Sequence, residues 1–446
     1  MRRSAPQSRR ESNVWRRLQA DRRHSKLKRG SGLLQEVALG DKTLADYTHL
    51  CGRDLIERIR ELAEPLEGRR VLHVSATAFG GGVSEILYTL VPLMRSVGLD
   101  AHWQVILGQE EYFNATKLLH NSLQGDETTL SDEQWELFDR VNELNGRAIN
   151  EDWDVIIVHD PQPIGVRSVA AGHAKRWIWR CHIDLSEPNP APIERLLPKM
   201  QEYDATVWHM QQYVPEGLDG NTGPEIRIVP PAIDPLSPKN MALSPEDASF
   251  VCGQFGIDID RPLMCQVSRF DPWKDPIGVI DAYREVTRQM PEVQLALVGS
   301  MATDDPEGWE FFQKTFEYAD SDPDIKILNN LNNVGAIEVN AFQSQSDVLL
   351  QKSIREGFGL TVTEGLWKVR PVVAGNVGGI PLQISDGESG FLVDTPHEAA
   401  ERSLEILADP ALGKFLGRKG KEHVRAHFLT PRLLRDWLEM FTDLEV

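Results

Sequence analysis

The 446-residue chain has little cysteine: Cys51, Cys181, Cys252 and Cys265 lie far apart and form no CxxC pair. That spacing argues against a disulfide framework or a zinc site, and for a reducing, cytoplasmic compartment. No apolar run approaches the roughly 18 residues a membrane span needs. The basic start of the chain lacks the apolar core of a secretory signal. The motifs GxGxxG, GxSxG, HExxH and the P-loop lysine are missing too. Their absence speaks against a dinucleotide fingerprint, the corresponding hydrolases and P-loop NTPases.

What is present is acid. The net charge is -19, yet residues 1–30 hold eleven Arg and Lys against two acids, so the body is more acidic still. The head, residues 1–35, reads as a disordered segment. The acidic body makes nucleic-acid binding an unfavourable reading. A hydrophobic content of 41% with 26% charged residues is that of a soluble globular protein, and the length suggests two or three domains.

From about residue 70 short β-rich runs alternate with helical patterns. "RRVLHVSA", "AHWQVIL", "WDVIIVHD", "KRWIWRCHI", "ATVWHM" and "IRIVPPA" read as strands. A Pro-, Ser- and Asp-rich break, Ala232 to Asp247, interrupts them, and the alternation restarts at "PLMCQVSRF". Strands this apolar imply parallel sheets covered on both faces. The chain is therefore expected to form two doubly wound α/β domains, residues 36–240 and 241–427, facing each other across a cleft. A C-terminal helix within 428–446 is expected to pack back on the first domain. Ligands of such sheets bind beyond the carboxyl ends of the strands.

Four stretches stand at such ends. In "FGGGVSE", Gly81 and Gly82 open a helix whose first N–H groups can meet a ligand, with Glu85 one turn on. "HDPQP" offers Asp160 and Gln162, and "RCHIDLSEPN" offers His182 and Asp184. "VSRFDPWKDP" places Arg269 and Lys274 five apart; alone they read as solvated charges, together at a strand mouth they suit a pyrophosphate. In "REGFGLTVTEGL", Gly357 and Gly359 free the backbone before a helix whose N-terminus favours phosphate. Glu356 and Glu364 can take sugar hydroxyls, Glu364 a ribose diol through both oxygens. The DxD pairs Asp258/Asp260 and Asp322/Asp324 lie in polar turns and are poor metal candidates.

These stretches resemble the retaining glycosyltransferases of family four, which have the GT-B fold. "EGFGLTVTE", "SRFDPWK" and "VPPAID" carry the likeness. The strings "HVSATAFGGGVSEIL", "TKLLHNSLQG", "HDPQP" and "WRCHIDLSEPN" are similar to trehalose synthases of the glycosyl-transferring type. The resemblance implies transfer of glucose from a nucleoside diphosphate glucose to free glucose, giving α,α-trehalose, in a direction set by metabolite concentrations and without a metal or other cofactor. It implies that Arg269 and Lys274 bind the diphosphate and Glu364 the ribose. Glu356 with the backbone of Gly357, Phe358, Gly359 and Leu360 would hold the donor glucose. His182 would sit beside the reacting sugar, with Glu85, Asp160, Gln162 and Asp184 on the acceptor side. Two other readings stay open: a retaining trehalose phosphorylase, in which Arg269 and Lys274 serve free phosphate, and a non-catalytic sugar-nucleotide sensor. Exposed aromatics of the first domain would suit a homodimer.

Overall fold

The computed structural model describes residues 34–79, 81–220, 222–301 and 306–446. The basic head and Gly80 of the glycine run lie outside them. Seven strands form the first sheet: β1 (Gln35–Glu36), β2 (Arg70–Ser75), β3 (Asp100–Val105), β4 (Trp153–His159), β5 (Ala174–Arg180), β6 (Ala205–Trp208) and β7 (Glu225–Ile228). Six form the second: β8 (Leu263–Val267), β9 (Gln294–Val298), β10 (Ile325–Leu328), β11 (Val348–Gln351), β12 (Val372–Gly375) and β13 (Phe391–Val393).

The first sheet runs β1-β3-β2-β4-β5-β6-β7 and the second β10-β9-β8-β11-β12-β13. Every pair is parallel except β1 with β3, an antiparallel edge that two residues of sequence could not announce. The apolar runs explain the burial on both faces, because successive side chains point to opposite sides. In β4, Val155 and Ile157 enter one core while Ile156 and Val158 enter the other. The second sheet does the same, with Cys265 and Leu349 on one side and Met264 and Leu350 on the other. The result is two doubly wound, Rossmann-like domains.

Strand order reverses between β2 and β4 in the first sheet, and between β8 and β11 in the second. Those reversals open the crevices where such sheets bind ligands. Two chain crossings join the halves and run side by side: Ile233 N–H donates to Phe428 O at 2.9 Å, and Thr430 N–H donates to Ile233 O at 3.0 Å. After the second crossing the helix Thr430–Asp443 returns to the first half. Its Leu433, Leu434, Trp437, Leu438 and Phe441 are buried with Leu87, Leu90 and Ile157. The four cysteines are free thiols. Among the described residues, exposed rings lie at Phe79 in the first half and at Phe250, Trp309, Phe316, Tyr318 and Phe415 in the second.

Candidate active site

The loop after β8 carries the basic pair. Asp271 shapes it: its carboxylate accepts from Lys274 N–H at 3.1 Å and pairs with the Arg269 guanidinium at 3.1 Å. The Arg269 side chain is 62% exposed, open to a ligand, whereas Lys274 is largely covered. Gln266 donates to Lys274 O at 3.0 Å and accepts from Lys352 N–H at 3.2 Å, tying the loop to the end of β11. Lys274 Nζ meets Glu356 Oε2 at 2.6 Å, and Ser353 Oγ donates to the same oxygen at 3.2 Å. Residues from the mouths of β8 and β11 thus share one charge-paired site.

His120, on the helix Glu110–Leu123 of the first half, faces this pair. Burial, then repulsion from Arg269, Lys117 and Lys274, pulls its imidazole down to about 4. A ring that stays neutral there leaves the two cations of the loop to meet an anion.

Glycine decides the next turn. Gly359 has φ +80° and caps the helix Leu360–Trp367, a conformation that would strain any other residue. Gly357 lies where the halves meet, and a Cβ there would come within 2.9 Å of His182 O. Tyr213 of the first half donates to Glu356 O at 3.0 Å and Gly357 O at 2.8 Å. Phe358 is buried behind the loop, against His209 and Phe428. Gly81 precedes the helix Gly82–Ser96, and the Leu360 side chain stands against Gly82, so the two helix N-termini approach across the cleft.

Glu364 is fully buried on the helix that Gly359 caps. Gln343 donates to its Oε2 at 3.0 Å, and the Lys239 ammonium stands 3.4 Å from Oε1, which accepts no hydrogen bond among the described residues. Lys239 Nζ also donates to Glu85 Oε1 at 2.6 Å. Glu85 therefore sits with Glu364 and not with the other acceptor-side candidates. The Glu85 side chain is 46% exposed, and partial desolvation in the cleft raises its carboxyl against the pull of Lys239. Burial pulls on Lys239 as well, but Glu364 and Glu85 overcome it and hold the ammonium charged.

The first-half floor gathers Asp160, Gln162 and His182. Asp160 adopts φ +65° at the end of β4 and accepts from His182 N–H at 2.8 Å. Burial pushes its carboxyl up to about 7, against that hydrogen bond and Arg180. Gln162 Oε1 is buried without a donor. Asp184 turns to its own loop, accepting from Ser186 N–H at 2.8 Å and Ser186 Oγ at 2.6 Å. Among the described residues, no group of three His, Cys, Asp or Glu is placed to hold a metal ion. Of the DxD acids, Asp324 pairs with Arg261 at 2.7 Å and Asp258 accepts from Asp260 N–H within its turn.

Sequence reading missed Lys239, Gln343, Lys352, His120, Tyr213, His73, His159 and His209. Lys352, buried at the end of β11, pairs with Asp275 at 2.5 Å. Lys239 lies in the Pro-rich linker, where composition suggests only a connection. His73, His159 and His209 sit in or after apolar strands, and that shared register was the one available signal; His120 lies on a helix and had none.

Comparison with known proteins bears on this geometry. Residues 73–215 match the family model for the trehalose synthase N-terminal domain, and residues 252–423 the model for group 1 glycosyl transferases. A trehalose synthase of Rubrobacter xylanophilus is 55% identical over 417 residues, 92% of this chain and 99% of that one. A trehalose phosphorylase of Pleurotus pulmonarius is 27% identical, over 89% of this chain and 60% of that one. Among solved structures, a sucrose-phosphate synthase from Thermosynechococcus elongatus superposes with a TM-score of 0.66 at 18% identity, covering 84% of this chain and 99% of that one. The chain belongs to the trehalose synthase family of group 1 glycosyltransferases, with the GT-B fold.

Proposed function

We propose that the protein transfers glucose from a nucleoside diphosphate glucose to free glucose, with retention, to form α,α-trehalose. The observation that carries this reading is the shared site of Lys274 and Glu356 in the cleft, together with a buried Glu364 whose Oε1 faces the Lys239 ammonium at 3.4 Å and accepts no hydrogen bond among the described residues. A carboxylate oxygen that is ion-paired but accepts no hydrogen bond keeps lone pairs that a ligand hydroxyl can satisfy. A ribose diol would do so. Arg269 and Lys274 then neutralise the diphosphate, and their contribution grows as charge develops on the leaving oxygen. Glu356 and the Gly357–Leu360 backbone hold the donor glucose, and the N-terminus at Gly81 and Gly82 adds N–H groups opposite. No protein nucleophile is needed if the acceptor attacks the face the diphosphate leaves. The anomeric carbon–oxygen bond breaks with its electron pair going to the phosphate, and that oxygen takes the acceptor's proton.

Residues 36–240 serve as the acceptor half and 241–427 as the nucleotide half, closed by the helix after 428, in a cytoplasmic enzyme. Asp160, Gln162 and Asp184 are the acceptor-side groups, whereas Glu85 is better placed beside Glu364. Free glucose fits better than a sugar phosphate. Arg180, the basic side chain of these first-half stretches, is buried and donates to Val229 O at 3.1 Å.

The test is incubation with glucose and several nucleoside diphosphate glucoses, against arms containing phosphate or glucose 6-phosphate. The expected product is a non-reducing disaccharide with a single α anomeric NMR signal, released with a nucleoside diphosphate. A phosphorylated disaccharide, a free reducing end, or turnover of trehalose that depends on phosphate alone would sink the assignment.

A further inference from the structure

His182 ends a row of imidazoles that the transfer chemistry above does not use. Its Nε2 lies 3.0 Å from His159 Nδ1, and His159 Nε2 lies 2.9 Å from His73 Nδ1. The rings stack with centroids 5.3 and 5.2 Å apart. His73 lies in β2, His159 ends β4 and His182 follows β5, so the row crosses the sheet at its reversal of order. It has two free ends. His73 Nε2 is buried and has no partner. His182 Nδ1 has none among the described residues, on a ring that is partly exposed.

Counting hydrogens gives the row a direction. Three neutral imidazoles carry three N–H hydrogens on six nitrogens. The two internal hydrogen bonds use two of them, and all must point the same way. The third sits at one end. At His73 it would be a buried donor with nothing to accept it. It would also lie in the field of Arg180, whose charge acts on His73 and whose guanidinium only donates. Arg180 and His73 lie against the same ring: Arg180 Cζ is 5.5 Å from the Trp437 centroid and His73 meets it edge-on at 6.1 Å. Arg180 Nη1 has no partner either, so a lone pair on His73 Nε2 suits the cation.

An extra proton on the row is opposed first by burial, then by Arg180 at His73 and His182 and by His73 ahead of Arg180 at His159; His73 is held down to about 3 and the other two well below the usual range. His209, edge-on to His182, is held down to about 3 in the same way. Asp160 reaches His182 through its backbone N–H and not its ring, and Arg432 and Asp436 of the last helix act on Arg180.

We infer that Arg180 and His73 are positioning residues that hold His182 as the neutral Nδ1–H tautomer, so that it meets a substrate oxygen as a hydrogen-bond donor and not as a general base. The part of this that concerns substrate rests on the proposed function; the tautomer does not.

The test uses the full chain labelled with isotopic nitrogen in histidine, without substrate, read by long-range proton–nitrogen correlation. His182→Asn identifies the His182 resonances. The expected result near neutral pH is a His182 ring carrying its hydrogen on Nδ1; an Nε2–H ring or an imidazolium overturns the proposal. Arg180→Gln places a carbonyl acceptor at the buried end. It is expected to turn the row, moving His182 to Nε2–H and lowering glucosyl transfer about tenfold or more at unchanged nucleotide affinity. Arg180→Lys is expected to keep Nδ1–H. A folded Arg180→Gln that retains the wild-type tautomer overturns the role of the arginine. Should that variant not fold, His73→Asp supplies an acceptor to His159 and the same reversal is expected; persistence of Nδ1–H there overturns the proposal. Because the spectra need no substrate, a row that turns as described in a protein that transfers no glucose would remove the proposed function and leave this inference standing.

Discussion

Lys274 and Glu364 are the side chains at which the proposed function is most directly tested. Lys274→Ala removes charge stabilisation that grows toward the transition state, so kcat should fall by about a hundredfold or more. Near-normal turnover of that variant in a glucose transfer assay would mean that its contact with Glu356 is only structural. Glu364→Ala should weaken nucleoside diphosphate binding by about 1.5–3 kcal/mol, read by calorimetry. Buried titratable groups also tie stability to pH. His73 and His209 are held at about 3 and His120 at about 4, mainly by burial. Below pH ~6.5 the unfolded chain takes up protons that these folded rings refuse, so stability falls on acidification by up to ~1.4 kcal/mol per unit per ring. Asp160 acts with the opposite sign, because at about 7 it keeps a proton that the unfolded chain releases near pH ~3.9. Relative to wild type, Asp160→Asn should therefore gain stability steadily from pH ~4 to ~7 and level off above, as urea melts at several pH values would show. A difference that does not change with pH would refute the raised carboxyl.

At the scale of elements, the final helix contributes most to an otherwise familiar layering. Thr430–Asp443 follows the second domain in sequence yet fills the core of the first, with Arg432 donating to Pro230 O and Pro231 O at 2.9 Å where the chain crosses. Trp437 is buried against His73, Arg180 and Phe441. Trp437→Ala should cost about 3–5 kcal/mol by opening a cavity, measured as a lower urea midpoint. The loss should appear in probes of the first half before those of the second. Equal loss in both halves would show that they unfold as one unit.

Across the whole molecule, specific side chains join the two halves at the cleft. Tyr213 bonds the carbonyls of Glu356 and Gly357, Arg355 Nη2 stands 3.5 Å from Glu187 Oε2, and Lys239 links Glu85 to Glu364. Tyr213→Phe removes one donor shared by two carbonyls, a change of about 0.5–1.5 kcal/mol. Amide exchange should rise across residues 353–360 and stay unchanged in β9, the buried strand that does not border the cleft. Uniform faster exchange would instead indicate global destabilisation.

Apolar runs such as "VIIVH" and "LALV" determined the strands, because an aliphatic run short enough for a strand and flanked by turn residues has few other ways to be buried. The same reading singled out Arg269, Lys274 and Glu356 as candidates, since charges directly after such runs fall at the carboxyl ends of parallel strands, and Glu364 from the helix that follows. Tertiary structure alone decided which of them meet. Glu85 joins Glu364 through Lys239, a linker residue with no local signature, and Asp184 is taken up by its own turn. The row His73, His159 and His182 joins residues 86 and 23 positions apart in sequence, in or just after three different strands. Periodicity within a strand says which face a side chain takes; only the order of strands in the sheet says which side chain stands beside it.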